Sequence, residues 1–195
     1  MPYTVEHKRK TRERIVECAR ELFNRKGFVE VSIDEIMARA GLTRGGFYNH
    51  FKAKEDLFFE AIEAYLDFDP GARWDGVPFT ACASGKTHAR EMVNAYLSRA
   101  HLDDLDAHCP MIALPSDVAR AGPRVKEAYR HLLERMAGIL AAGLAESDPE
   151  QERRRGLALA ALCVGGMVLA RTFEDQGFRE EIREAVRSTA LEMVG

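Results

Sequence analysis

The chain has 195 residues, 46% hydrophobic and 30% charged, with a net charge of −3. That composition excludes a disordered or fibrous chain, and the length suits one large domain or a small one joined to a larger one. The apolar run Leu157–Ala170 falls short of the roughly 18–20 residues a bilayer span needs, and no apolar segment follows the basic N-terminus, so a cytoplasmic protein without membrane contact is expected.

The average charge hides an asymmetry. Residues 1–52 carry 11 Lys and Arg against 7 Asp and Glu, and the remainder carries 17 against 24. A basic head on an acidic body confines attraction for phosphate to one end. Cys18, Cys82, Cys109 and Cys163 lack zinc-site spacing and read as reduced thiols.

In chain order, Arg9 to Lys26 has helical apolar spacing through Ile15, Val16, Ala19, Leu22 and Phe23, and Gly27 stops it. Ser32 and Glu35 form a Ser-x-x-Glu capping box that opens a helix through Ala40. Gly41 stands where a sharp turn needs a left-handed residue. Thr43 can cap a short helix from Arg44 to His50, and Lys54 to Leu66 is again amphipathic. Residues 67–86 hold two prolines, several glycines and the only tryptophan, and read as a loop with at most one helical turn.

Helical spacing resumes from Thr87 to about Leu102, then over Met111–Arg120, and from Gly122-Pro123 to about Ala145. A second capping box, Ser147 with Glu150, opens a helix from Asp148 to about Phe173, and a last helix covers Phe178–Met193. No segment alternates as a strand does. The expected fold is all-α with about nine helices: a three-helix, helix-turn-helix DNA-binding domain at residues 1–53 and a helical ligand-binding and dimerisation domain at 54–195.

The segment Ser32–Phe51 concentrates DNA-reading chemistry. Arg44 sits at the helix start that meets base edges, where it can pair with guanine through two hydrogen bonds. Gly45 and Gly46 let backbone approach DNA, at a cost a core helix has little reason to bear. Tyr48, Asn49 and His50 are hydrogen-bonding side chains, while Phe47 and Phe51 anchor the helix. Lys54 can reach a phosphate, and the amides at the Ser32 helix start can bind another.

With these residues in view, Thr11–Leu66 resembles the N-terminal domain of the TetR family of transcriptional regulators. The match is strongest in GLTRGGFYNHFKAKEDLF, residues 41–58, with the upstream LFNRKGF also fitting. The resemblance implies a homodimer on a palindromic double-stranded operator and a C-terminal domain whose small-molecule effector changes the spacing of the two heads. Carried over by position, Arg44, Gly45 and Asn49 lie at the bases, and Thr43, Tyr48, His50 and Lys54 at phosphates. Ala53 departs from the Ser or Thr that caps the fourth helix in many members.

In the body, residues 154–171 are apolar nearly all round. With residues 178–193 they are expected to build a four-helix bundle across a two-fold axis, where Ala158, Ala161, Gly165 and Gly166 allow close approach. Phe59, Ile62, Tyr96, Met111, Leu114, Tyr129, Leu133 and Met136 are candidates for lining an apolar, aromatic effector pocket. Cys109, at a helix start beside His108, is a candidate redox or electrophile sensor. The group His101, Asp103, Asp104, Asp106, His108 and Cys109 contains metal-ligand types at no standard spacing, so no metal is expected. No nucleophile–base pair, phosphate loop or cofactor motif appears, and neither an enzyme nor a cofactor is expected. The leading function is a ligand-released repressor. An activator and a redox sensor are the alternatives.

Overall fold

The computed structural model describes residues 5–74, 76–80, 83–144 and 148–195, and every regular element among these is helical. The α-helices are α1 (Val5–Lys26), α2 (Ile33–Arg39), α3 (Arg44–Phe47), α4 (Lys54–Glu63), α5 (Pro70–Arg73), α6 (Gly85–Tyr96), α7 (Arg99–Asp103), α8 (Pro110–Ala113), α9 (Pro115–Arg120), α10 (Pro123–Ala141), α11 (Pro149–Thr172) and α12 (Gln176–Val194). These outnumber the nine expected, because connectors fold into single turns. Ser98 splits the Thr87–Leu102 segment by capping α7 through His101 N–H, at 3.0 Å, and Pro115 divides Met111–Arg120. The helix from Lys54 ends at Glu63 and tightens into a 3₁₀ turn, Ala64–Asp67. At α11 the cap is Asp148, which accepts from Glu150 N–H, and Pro149 takes the first turn. Ser147, expected to cap it, lies outside the described residues, as does Cys82.

The chain divides into two compact units. The first comprises Met1–Asp67 with Leu105–Tyr129. Its core gathers Ile15, Ala19 and Phe23 of α1, Ile36 and Met37 of α2, Phe47, and Leu57, Phe58 and Ile62 of α4. Phe28 stacks on Phe58 with centroids 4.4 Å apart, and Phe23 meets both rings at 5.3–5.5 Å. Because α4 shares this core, the packing unit runs past residue 53. Arg20 and Asn24 of α1 donate to the Asp106 carbonyl, and Asn24 also donates to that of His108. These bonds satisfy carbonyls of an irregular segment that burial would otherwise leave unpaired.

The second unit comprises Phe68–Asp104 with Arg130–Gly195. Two glycines of α11 set its packing. A Cβ on Gly156 would lie 2.5 Å from the Ala137 carbonyl oxygen of α10, and one on Gly166 would lie 2.7 Å from Val186 of α12. Gly166, expected at a dimer seam, therefore closes an intramolecular contact. Ala158 and Ala161 are exposed, and a Cβ on Gly165 would meet nothing within 4 Å. With the half-buried Leu162 and Val168 and the 54%-exposed Leu169, they form an apolar stripe along α11. Phe178, Ile182, Ala185, Thr189 and Met193 line α12 at matching helical intervals. By length and composition, α11 does reach what a membrane span needs, contrary to the expectation from Leu157–Ala170 alone. The core helix of a soluble protein meets the same test.

His101 is fully buried in this unit. It stacks on Trp74 at 4.5 Å, meets Tyr96 edge-on at 5.0 Å and bonds through Nδ1 to the Tyr96 carbonyl at 2.7 Å. Burial pushes its pKa from 6.5 down to about 4. Above pH 6.5 the imidazole is neutral whether the chain is folded or not. Below it, the unfolded chain takes a proton that the folded chain refuses, so stability is lost between pH 6.5 and about 4. The gap corresponds to roughly 3 kcal/mol. Urea unfolding at pH 7 and 4.5 should show wild type losing 2–3 kcal/mol more than His101→Phe, on the order set by that linkage. Equal losses would exclude His101 as the titrating group.

Candidate nucleic-acid interface

The reading head begins at Ser32, whose Oγ accepts from Glu35 N–H at 3.1 Å and starts α2. Only this half of the expected capping box forms, because the Glu35 carboxylate instead binds Lys26 at 2.6 Å. Gly41 adopts φ +68° in the turn, and Leu42 N–H returns to the Met37 carbonyl at 2.8 Å. Thr43 has extended backbone before α3, but its hydroxyl makes no capping bond.

The helix expected over Arg44–His50 is a single turn, ending at Phe47 with Tyr48 as its cap. Two glycines in its four residues remove the backbone restriction and side-chain packing that would extend it. Residues 48–50 continue as a turn, with His50 and Phe51 N–H groups both donating to the Phe47 carbonyl. Buried Phe47 and Phe51, 5.5 Å apart, hold the turn to the core.

Opposite these anchors, Thr43, Arg44, Gly45, Tyr48 and Asn49 are all exposed, as is Ser32, while Gly46 and His50 are half-buried. A Cβ on Gly45 would meet nothing, and one on Gly46 would make an ordinary contact with Met37 at 3.5 Å. The Arg44 guanidinium pairs with Asp34 across the turn. Burial, then the Lys8 and Arg12 cations, holds the His50 imidazole below its ordinary pKa, so at pH 7 it is a neutral donor.

Lys54 does not follow the expectation of a free phosphate ligand. Its Nζ donates to the carbonyls of Phe28 at 2.7 Å and Val31 at 2.8 Å and sits over the Phe28 ring, where burial lowers its pKa. It ties α4 to the connector between α1 and α2. The capping defect at Ala53 is half repaired, since the Asp56 carboxylate accepts from Ala53 N–H at 3.1 Å.

Residues 15–61, which contain this whole arrangement, match the profile of bacterial regulatory proteins of the TetR family. The chain belongs to the TetR family. It is a helix-turn-helix DNA-binding transcriptional regulator. It is 28% identical to the transcriptional regulator AcrR of Shigella flexneri over 97% of this chain and 92% of that one. The regulator YerO of Bacillus subtilis (strain 168) is 44% identical, but over 28% of this chain, which spans only 19% of that protein. In the solved structures, the reduced form of NemR from E. coli shares the fold at a TM-score of 0.71 and 16% identity, covering 94% of this chain and 96% of that one.

The TetR-family head is thus compact, and the effector candidates are divided between the two units. Ile62 and Leu114 belong to the first unit's core, with Phe59 and Tyr129 packed against it. Met111 is buried, and its carbonyl accepts from the Tyr129 hydroxyl. Tyr96, Leu133 and Met136 belong to the second unit, where Tyr96 and Met136 are buried. Cys109 is 1% exposed at the start of a four-residue helix, which is not the partly exposed setting of a reactive thiol. Asp103 pairs with Arg179, Asp104 accepts from Arg73 and Trp74, and Asp106 binds Arg25, so the possible metal ligands are spread over separate ion pairs. Sequence reasoning missed Arg12 and Glu60, whose contacts with the head join segments 38–48 residues apart.

Proposed function

We propose that this regulator is a cytoplasmic homodimeric repressor that binds a palindromic operator and is released by a small, largely apolar or aromatic effector. In this reading residues 1–53 read DNA, and residues 54–195 bind the effector and dimerise. Gly45 carries the proposal. It lies inside a helical turn with no left-handed backbone and no neighbour that a methyl group would touch. Nothing within the chain requires glycine there, whereas close approach to a DNA backbone does. Arg44, Gly45 and Asn49 then lie at base edges, and Ser32, Thr43, Gly46, Tyr48 and His50 at phosphates and sugars. The apolar stripes on α11 and α12 support the dimer, and family membership supports the effector.

Footprinting should reveal an inverted repeat, with affinity falling steeply as salt rises. Gly45→Ala should raise thermal stability slightly, by up to about 1 kcal/mol, while weakening operator binding at least tenfold. Undiminished binding by Gly45→Ala would remove this face from the DNA.

A further inference from the structure

We propose that Arg12 is a positioning residue for DNA reading, clamping the end of the recognition turn to α1 and α4 without touching DNA itself. This rests on α3 being the reading element. A single helical turn has little internal stability and ends on carbonyls without helical partners. Arg12 supplies what the turn lacks. Its guanidinium donates to the His50 carbonyl, lies 4.1 Å over the Phe51 ring and forms a forked ion pair with Glu60 of α4. The turn and α4 are thereby tied to the sequence-distant α1 by one rigid, planar group, which matches the two-pronged geometry of a carboxylate.

The local charge separates this role from that of a phosphate ligand. Arg12 borders an open groove of about 690 Å³ in the first unit, whose floor includes Val16 and Phe59. Glu13, Glu17, Glu60, Glu63 and Asp67 line it, with Arg12 as the one cation among the described lining residues. Leaving that setting for a phosphate would break the pair with Glu60 and uncap His50. The geometry holds the guanidinium where it orders the turn.

The test compares wild type, Arg12→Met, Arg12→Lys and Glu60→Gln by operator affinity across a salt series and by amide hydrogen exchange without DNA. Arg12→Met keeps the side chain's length and removes the clamp. It should weaken operator binding 10- to 100-fold, leave the slope of log affinity against log salt unchanged, and speed exchange at residues 49–51. Arg12→Lys should recover part of both, since it keeps the carbonyl bond but not the fork. Glu60→Gln, which leaves Arg12 in place, should show the same changes more weakly. A shallower salt slope with unchanged exchange would make Arg12 a phosphate contact and overturn the proposal, as would unchanged affinity. Exchange is measured on the free protein, so it judges the clamp even if the wild type were found to protect no palindromic site.

Discussion

Arg44→Ala should abolish discrimination between operator and unrelated DNA while leaving the melting temperature unchanged. The fold asks little of this side chain. Arg44 is 61% exposed, and its partner Asp34 is exposed as well. Such pairs contribute about 0–1 kcal/mol. A guanidinium paired with guanine through two hydrogen bonds discriminates by roughly 1–3 kcal/mol. The proposed two-fold dimer would use it twice, so the combined loss is on the order of 2–6 kcal/mol, or about 30-fold to 10⁴-fold. Fluorescence anisotropy with operator and scrambled duplexes at one salt concentration measures the ratio. Arg44→Lys should keep general DNA affinity and lose most of the ratio, because an ammonium is a point charge without the planar fork. A ratio unchanged in Arg44→Ala would place base reading elsewhere.

Leu169→Glu should convert the proposed dimer to monomers at micromolar concentration. Leu169 is 54% exposed on the α11 stripe, one helical turn from the open Gly165. The substitution loses the burial of a leucine, about 1.5–3 kcal/mol, and requires a carboxylate to leave water. A two-fold interface repeats both effects, so a dissociation constant raised by roughly 10³-fold or more is expected. Sedimentation velocity gives the mass, and circular dichroism checks that the helices persist. Operator affinity should fall with the dimer, since one head alone contacts half a palindrome. A Leu169→Glu protein that sediments like wild type would place the interface on another face.

Features governed by neighbours in sequence were legible beforehand. Ser32 caps α2 and Gly41 turns left-handed, because a cap and a turn need only a few adjacent residues. The anchors Phe47 and Phe51 followed from their spacing. Features governed by competition among distant partners were not legible. Glu35 completes no capping box because Lys26 is near, and Lys54 turns inward because the Phe28 and Val31 carbonyls between α1 and α2 accept from it. The small residues of α11 were visible as a set. Which of them faces inward depends on helix rotation, and Gly166 is buried against Val186 while Gly165 stays open.

The amino-acid sequence by itself determined the helical class and the head's location, because short-range spacing and side-chain chemistry suffice for those. Only the tertiary structure decided that the recognition element is one turn, that Arg12 and Glu60 hold its end, and which stripe of α11 remains uncovered. The clamp depends on donors and acceptors that meet across 38–48 residues of chain, and the stripe on how α11 rotates against α12, and no local pattern constrains either partner.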